Sequence, residues 1–152
     1  MTKAASQVIV RRPSQSEHAH VRSIVQAVVD ETYGGLWAEP PLQIDEEDWS
    51  LAWIAVADAA IAGMMLTDRE WVSDLWVLHS FRGQGAGTAL LSTGEAEITG
   101  RGYAVAKLRL VASNTKARIF YDNRGWRALR GFQHEHLPVT MIEMEKHLLP
   151  LV

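Results

Sequence analysis

The sequence predicts an α+β fold, a mixed β-sheet flanked by helices in a single domain over residues 1–152, and three observations lead to it. The segments follow one another as strand, helix, three strands, helix, strand, helix and two strands. Hydrophobic residues make up 47% of the 152, enough to fill one core in a chain of this length. The short turn segments "DAA" and "DRE" separate three apolar runs closely enough for hairpins, so the middle of the sheet reads as antiparallel.

Each element has its own signal. "QVIVRR" is a short strand ended by Pro13, after which Ser14 or Ser16 caps a helix whose Val21, Ile24, Val25, Val28 and Val29 recur at helical spacing. That helix ends near "TYGGLW". Residues 34–50, rich in Gly, Pro and acids, form the longest irregular stretch, with a short helix expected around "IDEEDW". Strands follow at Trp53–Ala57, Ile61–Leu66 and Trp71–Leu78. "TALLSTGEAEITGRG" is a helix stopped by Gly100 and Gly102, and "AVAKLRLV" is the next strand. In "SNTKARIFYDNRGW", Ser113 or Asn114 caps a helix with Ala117, Phe120 and Tyr121 on one face and Gly125 as its C-cap. Strands near Arg127–Gln133 and Thr140–Lys146 complete the chain.

Composition excludes several functions. A net charge of −3 provides no general basic field, which argues against nucleic-acid binding. The chain has no cysteine, so disulfides, thiolate nucleophiles and cysteine-based metal sites are excluded together. "MTKAASQVIVRRP" has no apolar run long enough for a signal peptide, and the expected location is the cytoplasm. The most apolar segment, Leu51–Leu66, is too short to span a bilayer and is interrupted by Asp58, so no membrane role is expected. His18 with His20 and His134 with His136 lack a third ligand at a metal-binding spacing, and no metal site is expected.

The chemistry is concentrated in "HSFRGQGAGTALL", His79–Leu91, where glycines at alternate positions strip side chains from the backbone between a strand and a helix. A dinucleotide fingerprint fails on spacing, because Thr88 and Leu90 stand three residues beyond Gly85 and Gly87. A P-loop fails because no lysine follows Gly87. The plain alternative is a flexible turn. Its context favours an anion site instead: a strand feeds the loop, a helix leaves it, and Arg82 adds a cation where free amides and the helix dipole already favour phosphate.

Here the sequence resembles the GCN5-related N-acetyltransferase (GNAT) superfamily. Arg82, Gly83, Gln84, Gly85, Ala86 and Gly87 match its acetyl-CoA signature, Arg or Gln, two residues, Gly, one residue, then Gly or Ala. "DLWV" at Asp74–Val77 resembles the strand before that loop, and "SNTKARIFYDNRGW" resembles the family's Asn, Ala, Phe-Tyr, Gly-aromatic pattern. The resemblance implies the acyl-CoA N-acyltransferase fold, a mostly antiparallel mixed sheet with a splayed parallel strand pair. It implies acetyl-CoA as co-substrate, with diphosphate on the amides from Arg82 through Gly87 and Thr88, pantetheine against Leu75, Trp76 and Val77, and Asn114 as a further contact. It also implies that Tyr121 protonates the departing thiolate. Asn114 reads equally as a helix cap, and Tyr121 as a packed aromatic.

The expected activity is transfer of an acetyl group from acetyl-CoA to a primary amine by direct attack in a ternary complex. The alternative is a catalytically silent acyl-CoA-binding module of the same fold. An alkylamine must lose its proton first, which costs about 4.6 kcal/mol at pH 7. Where relatives carry glutamate this chain has Ser73 and Arg109, and Glu70 and Asp74 are the nearest carboxylates, on the opposite strand face unless a bulge rotates them. Tyr33 and Trp37 in "ETYGGLW", with Ser73 and Arg109, are the candidate acceptor contacts; Lys107 shares the face of Arg109 and together they could meet an anionic group. The acceptor is a small-molecule amine or a protein amine, and a homodimer through the last strands remains open.

Overall fold

The computed structural model describes residues 7–34 and 46–148. Among them, seven strands and three helices follow in the order β1 (Ile9–Arg11), α1 (His18–Tyr33), β2 (Trp53–Ala57), β3 (Ala60–Asp68), β4 (Trp71–Val77), α2 (Ala86–Gly100), β5 (Val105–Val111), α3 (Thr115–Asp122), β6 (Arg127–Gln133) and β7 (Thr140–His147). Hydrogen bonding orders the strands β1-β2-β3-β4-β5-β7-β6, a mixed sheet in which β4 and β5 are parallel. The chain divides into two compact units, Met1–Leu66 with Asp74–Gly94, and Thr67–Ser73 with Glu95–Val152.

In the first unit the predicted valine and isoleucine stripe of α1 is buried. Val21, Ile24, Val25, Val28 and Val29 pack with Ile54, Ile61, Met64 and Leu66 of β2 and β3, and Trp49 and Ala52 join them. Each of these valine, isoleucine, leucine and methionine side chains contributes roughly 1.5–3 kcal/mol on leaving water. The helix is entered through a single 3-10 turn, Gln15–Glu17, with Ser14 donating its backbone N–H to Glu17 at 2.8 Å. Hydrogen bonds from Arg11, and then from Ser14, hold the Glu17 carboxyl down at about 2. Of the short helix expected around "IDEEDW", residues 44 and 45 lie outside the described residues, and the local structure is a 3-10 turn at Trp49–Leu51 capped by Asp48. Asp58 and Ala59 take φ of 52° and 62°, the left-handed pair that a two-residue hairpin between Ala57 and Ala60 requires.

Gly63 in β3 marks a close backbone approach. A Cβ there would stand 2.6 Å from the Trp76 carbonyl oxygen and 3.1 Å from Val77 Cα. Gly63→Ala should therefore destabilise the fold by about 1–3 kcal/mol, as overpacked cores do. Thermal unfolding checks this, and an unchanged Tm would show that β3 yields without cost.

In the second unit, β5 alternates: Ala106, Leu108 and Leu110 are buried, while Lys107 and Arg109 lie on the other face. Asn114 accepts from the Ala117 N–H at 3.2 Å, the local bond that starts α3. The helix ends at Asp122 with Asn123 as its cap. Gly125, expected as the C-cap, closes that end at φ 87°: the Trp126 N–H donates to the Tyr121 carbonyl at 3.1 Å and the Gly125 N–H to the Asp122 carbonyl at 3.4 Å, the Schellman pattern.

Candidate functional site

The glycine loop leads from β4 into α2, which begins at Ala86, two residues before the expected start at Thr88. Gly83 and Gly85 adopt φ of 78° and 92°, which L side chains rarely take, and a Cβ on either would meet nothing within 4 Å. The backbone is thus bare and open where the first amides of α2 lack helical acceptors. Gln84 reaches back to the Ser80 carbonyl at 3.4 Å, and Thr88 is exposed in the first turn.

Arg82 has a more specific placement than the sequence alone conveys. Its Nη1 donates to Glu31 Oε1 of α1 at 2.6 Å, and its Nε to the Val77 carbonyl at 3.2 Å. His79 Nδ1 lies 3.7 Å from the same carboxylate. Glu31 therefore anchors the loop to α1 through Arg82.

Leu75, Trp76 and Val77 form the end of β4, all half-buried. Trp76 donates its indole N–H to Asp74 at 2.9 Å and meets Tyr33, the last residue of α1, edge-on at 6.0 Å. Asp74 thus shares its face with Trp76 and opposes Ser73, as alternation along β4 requires. Trp37 lies outside the described residues.

In the second unit, Glu70 offers its carbonyl to the Lys107 N–H at 2.9 Å, beside the parallel pair Trp71 and Lys107. Its carboxylate makes no ion pair among the described residues. Ser73 is exposed. Tyr121 is 9% exposed, with its ring edge-on to Phe120 at 5.2 Å and to Trp126 at 5.9 Å. Arg109 lies 4.6 Å over the Trp71 ring and bonds Glu143.

Glu143 and Glu145 on β7 were not legible as site residues. Both are buried, and both are held by arginines: Glu143 by Arg109 and Arg130, Glu145 by Arg127 at 2.6 Å. The Arg127 hydrogen bond keeps the Glu145 carboxyl below its ordinary range despite desolvation. The only available signal was the alternation of acids in "MIEMEKH" opposite the basic "KLRL". Among the described residues no cluster of three or more His, Asp or Glu side chains could hold a metal, and no helix is long and apolar enough to cross a membrane.

Comparison with known proteins bears on this arrangement. The chain is similar in fold to a GCN5-related N-acetyltransferase from Rhodopseudomonas palustris, with a TM-score of 0.74 and 18% identity over 97% of this chain and 100% of that one. It is similar to yncA of Salmonella typhimurium, whose structure holds its cofactor acetyl-CoA, at TM-score 0.73 and 14% identity over 97% of each chain. The PaiA N-acetyltransferase of Thermoplasma acidophilum, in complex with coenzyme A, aligns at TM-score 0.70 and 16% identity over 93% of this chain and 99% of that one. A search of curated proteins finds no match. The family model described as "Acetyltransferase (GNAT) domain" matches residues 38–148, most of the chain, and the protein belongs to that acetyltransferase family.

Proposed function

We propose that this protein is an acetyl-CoA-dependent N-acetyltransferase that acetylates a primary amine by direct attack while both substrates are bound. The observation that carries this reading is the bare backbone at Gly83 and Gly85, where an added Cβ would meet nothing within 4 Å, leading into α2. Such a cradle fits a diphosphate. Acetyl-CoA supplies an acetyl group already activated as a thioester.

The chain's own groups do the rest. Amides from Gly83 through Thr88 hold the diphosphate, and backbone groups of Leu75, Trp76 and Val77 pair with the amides of the pantetheine arm. The Trp76 N–H polarises the thioester carbonyl, a donor fixed before reaction. Asn114 spends its Oδ1 on the Ala117 N–H, which leaves its Nδ2 donors for the cofactor. Tyr121 donates its phenolic proton to the departing sulfur. Since a thiol of pKa about 8.5 leaves fairly well unaided, this donation contributes toward the lower part of the roughly 10²–10⁴ range for general acids. Tyr33 and Ser73 are the proposed acceptor contacts. The cysteine-free composition suits direct transfer and a cytoplasmic location.

No carboxylate is committed as a direct base. Asp74 is engaged by the Trp76 indole, and Glu70 stands at the β3–β4 turn. Deprotonation through water that ends at Glu70, Asp74 or bulk solvent follows. Glu70→Gln and Asp74→Asn should each reduce kcat/KM less than about tenfold, below the usual effect of removing a direct base. With solvent as the sink, kcat/KM rises with pH toward the pKa of the amine, because the free-base fraction rises. A hundredfold loss in either variant, with acetyl-CoA binding intact, would identify that carboxylate as the base.

Thiol release from acetyl-CoA across a panel of primary amines tests the reading as a whole. Acceptor-dependent release supports it. Tight acetyl-CoA binding with no release would point to the silent binding module.

A further inference from the structure

One sheet face of the second unit sets four cations against two carboxylates. Across β5, β7 and β6 the register sets Arg109 opposite Glu143 opposite Arg130, and Lys107 opposite Glu145 opposite Arg127. Each rung is cation, carboxylate, cation. The second arginine of the first rung is there because of a bulge between Ala128 and Arg130 in β6. Strict alternation from Arg127 would have put Leu129 opposite Glu143; the extra residue turns Arg130 onto that face.

The carboxylates lie beneath and the cations above. The Glu143 and Glu145 side chains are 6% and 11% exposed, whereas Arg109, Arg130 and Arg127 are 50%, 53% and 67% exposed. Arg109 Nε and Arg130 Nη2 share one oxygen, Glu143 Oε1, at 3.3 Å each, longer than a strong charge-assisted bond. One carboxylate therefore serves two guanidiniums, which leaves one positive charge and most of their donors unspent. Aromatic rings hold these forks in place: Arg109 lies 4.6 Å over Trp71 and 5.5 Å over Phe132, and Arg130 lies 4.7 Å over Phe132. Lys107 sits 5.8 Å over Trp71 with no ion pair among the described residues. All this stands on a chain with a net charge of −3.

We propose that Arg109 and Arg130, seated on Trp71 and Phe132, bind a carboxylate of the acceptor, so that the enzyme's substrates are amines that also bear an acid group, as amino acids and peptides do. This rests on the acetyltransferase reading and narrows it to a substrate class. A single carboxylate neutralises the unspent charge of the Arg109, Glu143 and Arg130 triad, and planar guanidiniums fixed on rings present paired donors to it.

Two measurements on the full chain test it. Arginine Nε–H resonances followed by NMR should shift for Arg109 and Arg130 on titration with succinate and stay put with succinamide. In thiol-release assays with concentrations expressed as free amine, glycine, β-alanine and 4-aminobutyrate should show KM values at least about tenfold below those of their carboxamides. Arg109→Gln should erase that gap while acetyl-CoA affinity is unchanged; the fold survives because Arg130 still holds Glu143. Phe132→Leu, which removes the platform but no charge, should weaken succinate binding several-fold. If succinate moves neither resonance, or acids and amides react alike while acetyl-CoA binds and amines turn over, the carboxylate site is wrong and the acetyltransferase stands. Phosphate binding more tightly than succinate would overturn the carboxylate assignment. Absence of acetyl-CoA binding and of any thiol release would remove the acetyltransferase reading itself, whereas the succinate shifts would still report the anion site.

Discussion

Gly85→Val should lower acetyl-CoA affinity by about a hundredfold or more while leaving the chain folded. At φ 92° a β-branched residue is disfavoured, so the loop backbone must rotate and turn its amides away from the diphosphate. Losing one or two hydrogen bonds to a charged group, at roughly 1.5–3 kcal/mol each, accounts for that factor. The side chain also intrudes on ligand space alone, because a Cβ there meets nothing within 4 Å in the protein itself. Arg82→Ala should weaken binding less, about tenfold, because the guanidinium is spent on Glu31 and the Val77 carbonyl and acts by holding the loop. Isothermal calorimetry with acetyl-CoA measures both. A Gly85→Val protein that binds as tightly as the parent would remove the diphosphate assignment.

Tyr121→Phe should lower kcat about a hundredfold with acetyl-CoA affinity within twofold of the parent. The ring is 9% exposed and packs edge-on against Phe120 and Trp126, contacts that phenylalanine retains, so packing and proton donation separate cleanly in this variant. Single-turnover thiol release is the decisive measurement, since it isolates the chemical step from product release. An unchanged single-turnover rate would return Tyr121 to a purely structural aromatic.

By itself the sequence determined whatever depends on neighbours along the chain. The stripe from Val21 to Val29, the turn after Ala57, the Asn114 cap and the glycine loop all follow from local spacing, and all are found where those rules put them. Element ends were less legible, as at Ala86 and Trp49, because a helix starts or stops where tertiary contacts make the last turn worth keeping. Only the tertiary structure decided which distant groups meet. Arg82 and Glu31 are 51 residues apart, and Arg109 and Glu143 are 34 apart. The need for glycine at position 63 comes from the carbonyl of Trp76 on another strand. Arg130 faces Glu143 only through a bulge that no local pattern in "RALRGFQ" announces. Such pairings are set by sheet register, and register is decided by which faces of all the strands are buried together, a property of the whole sheet and not of any one segment.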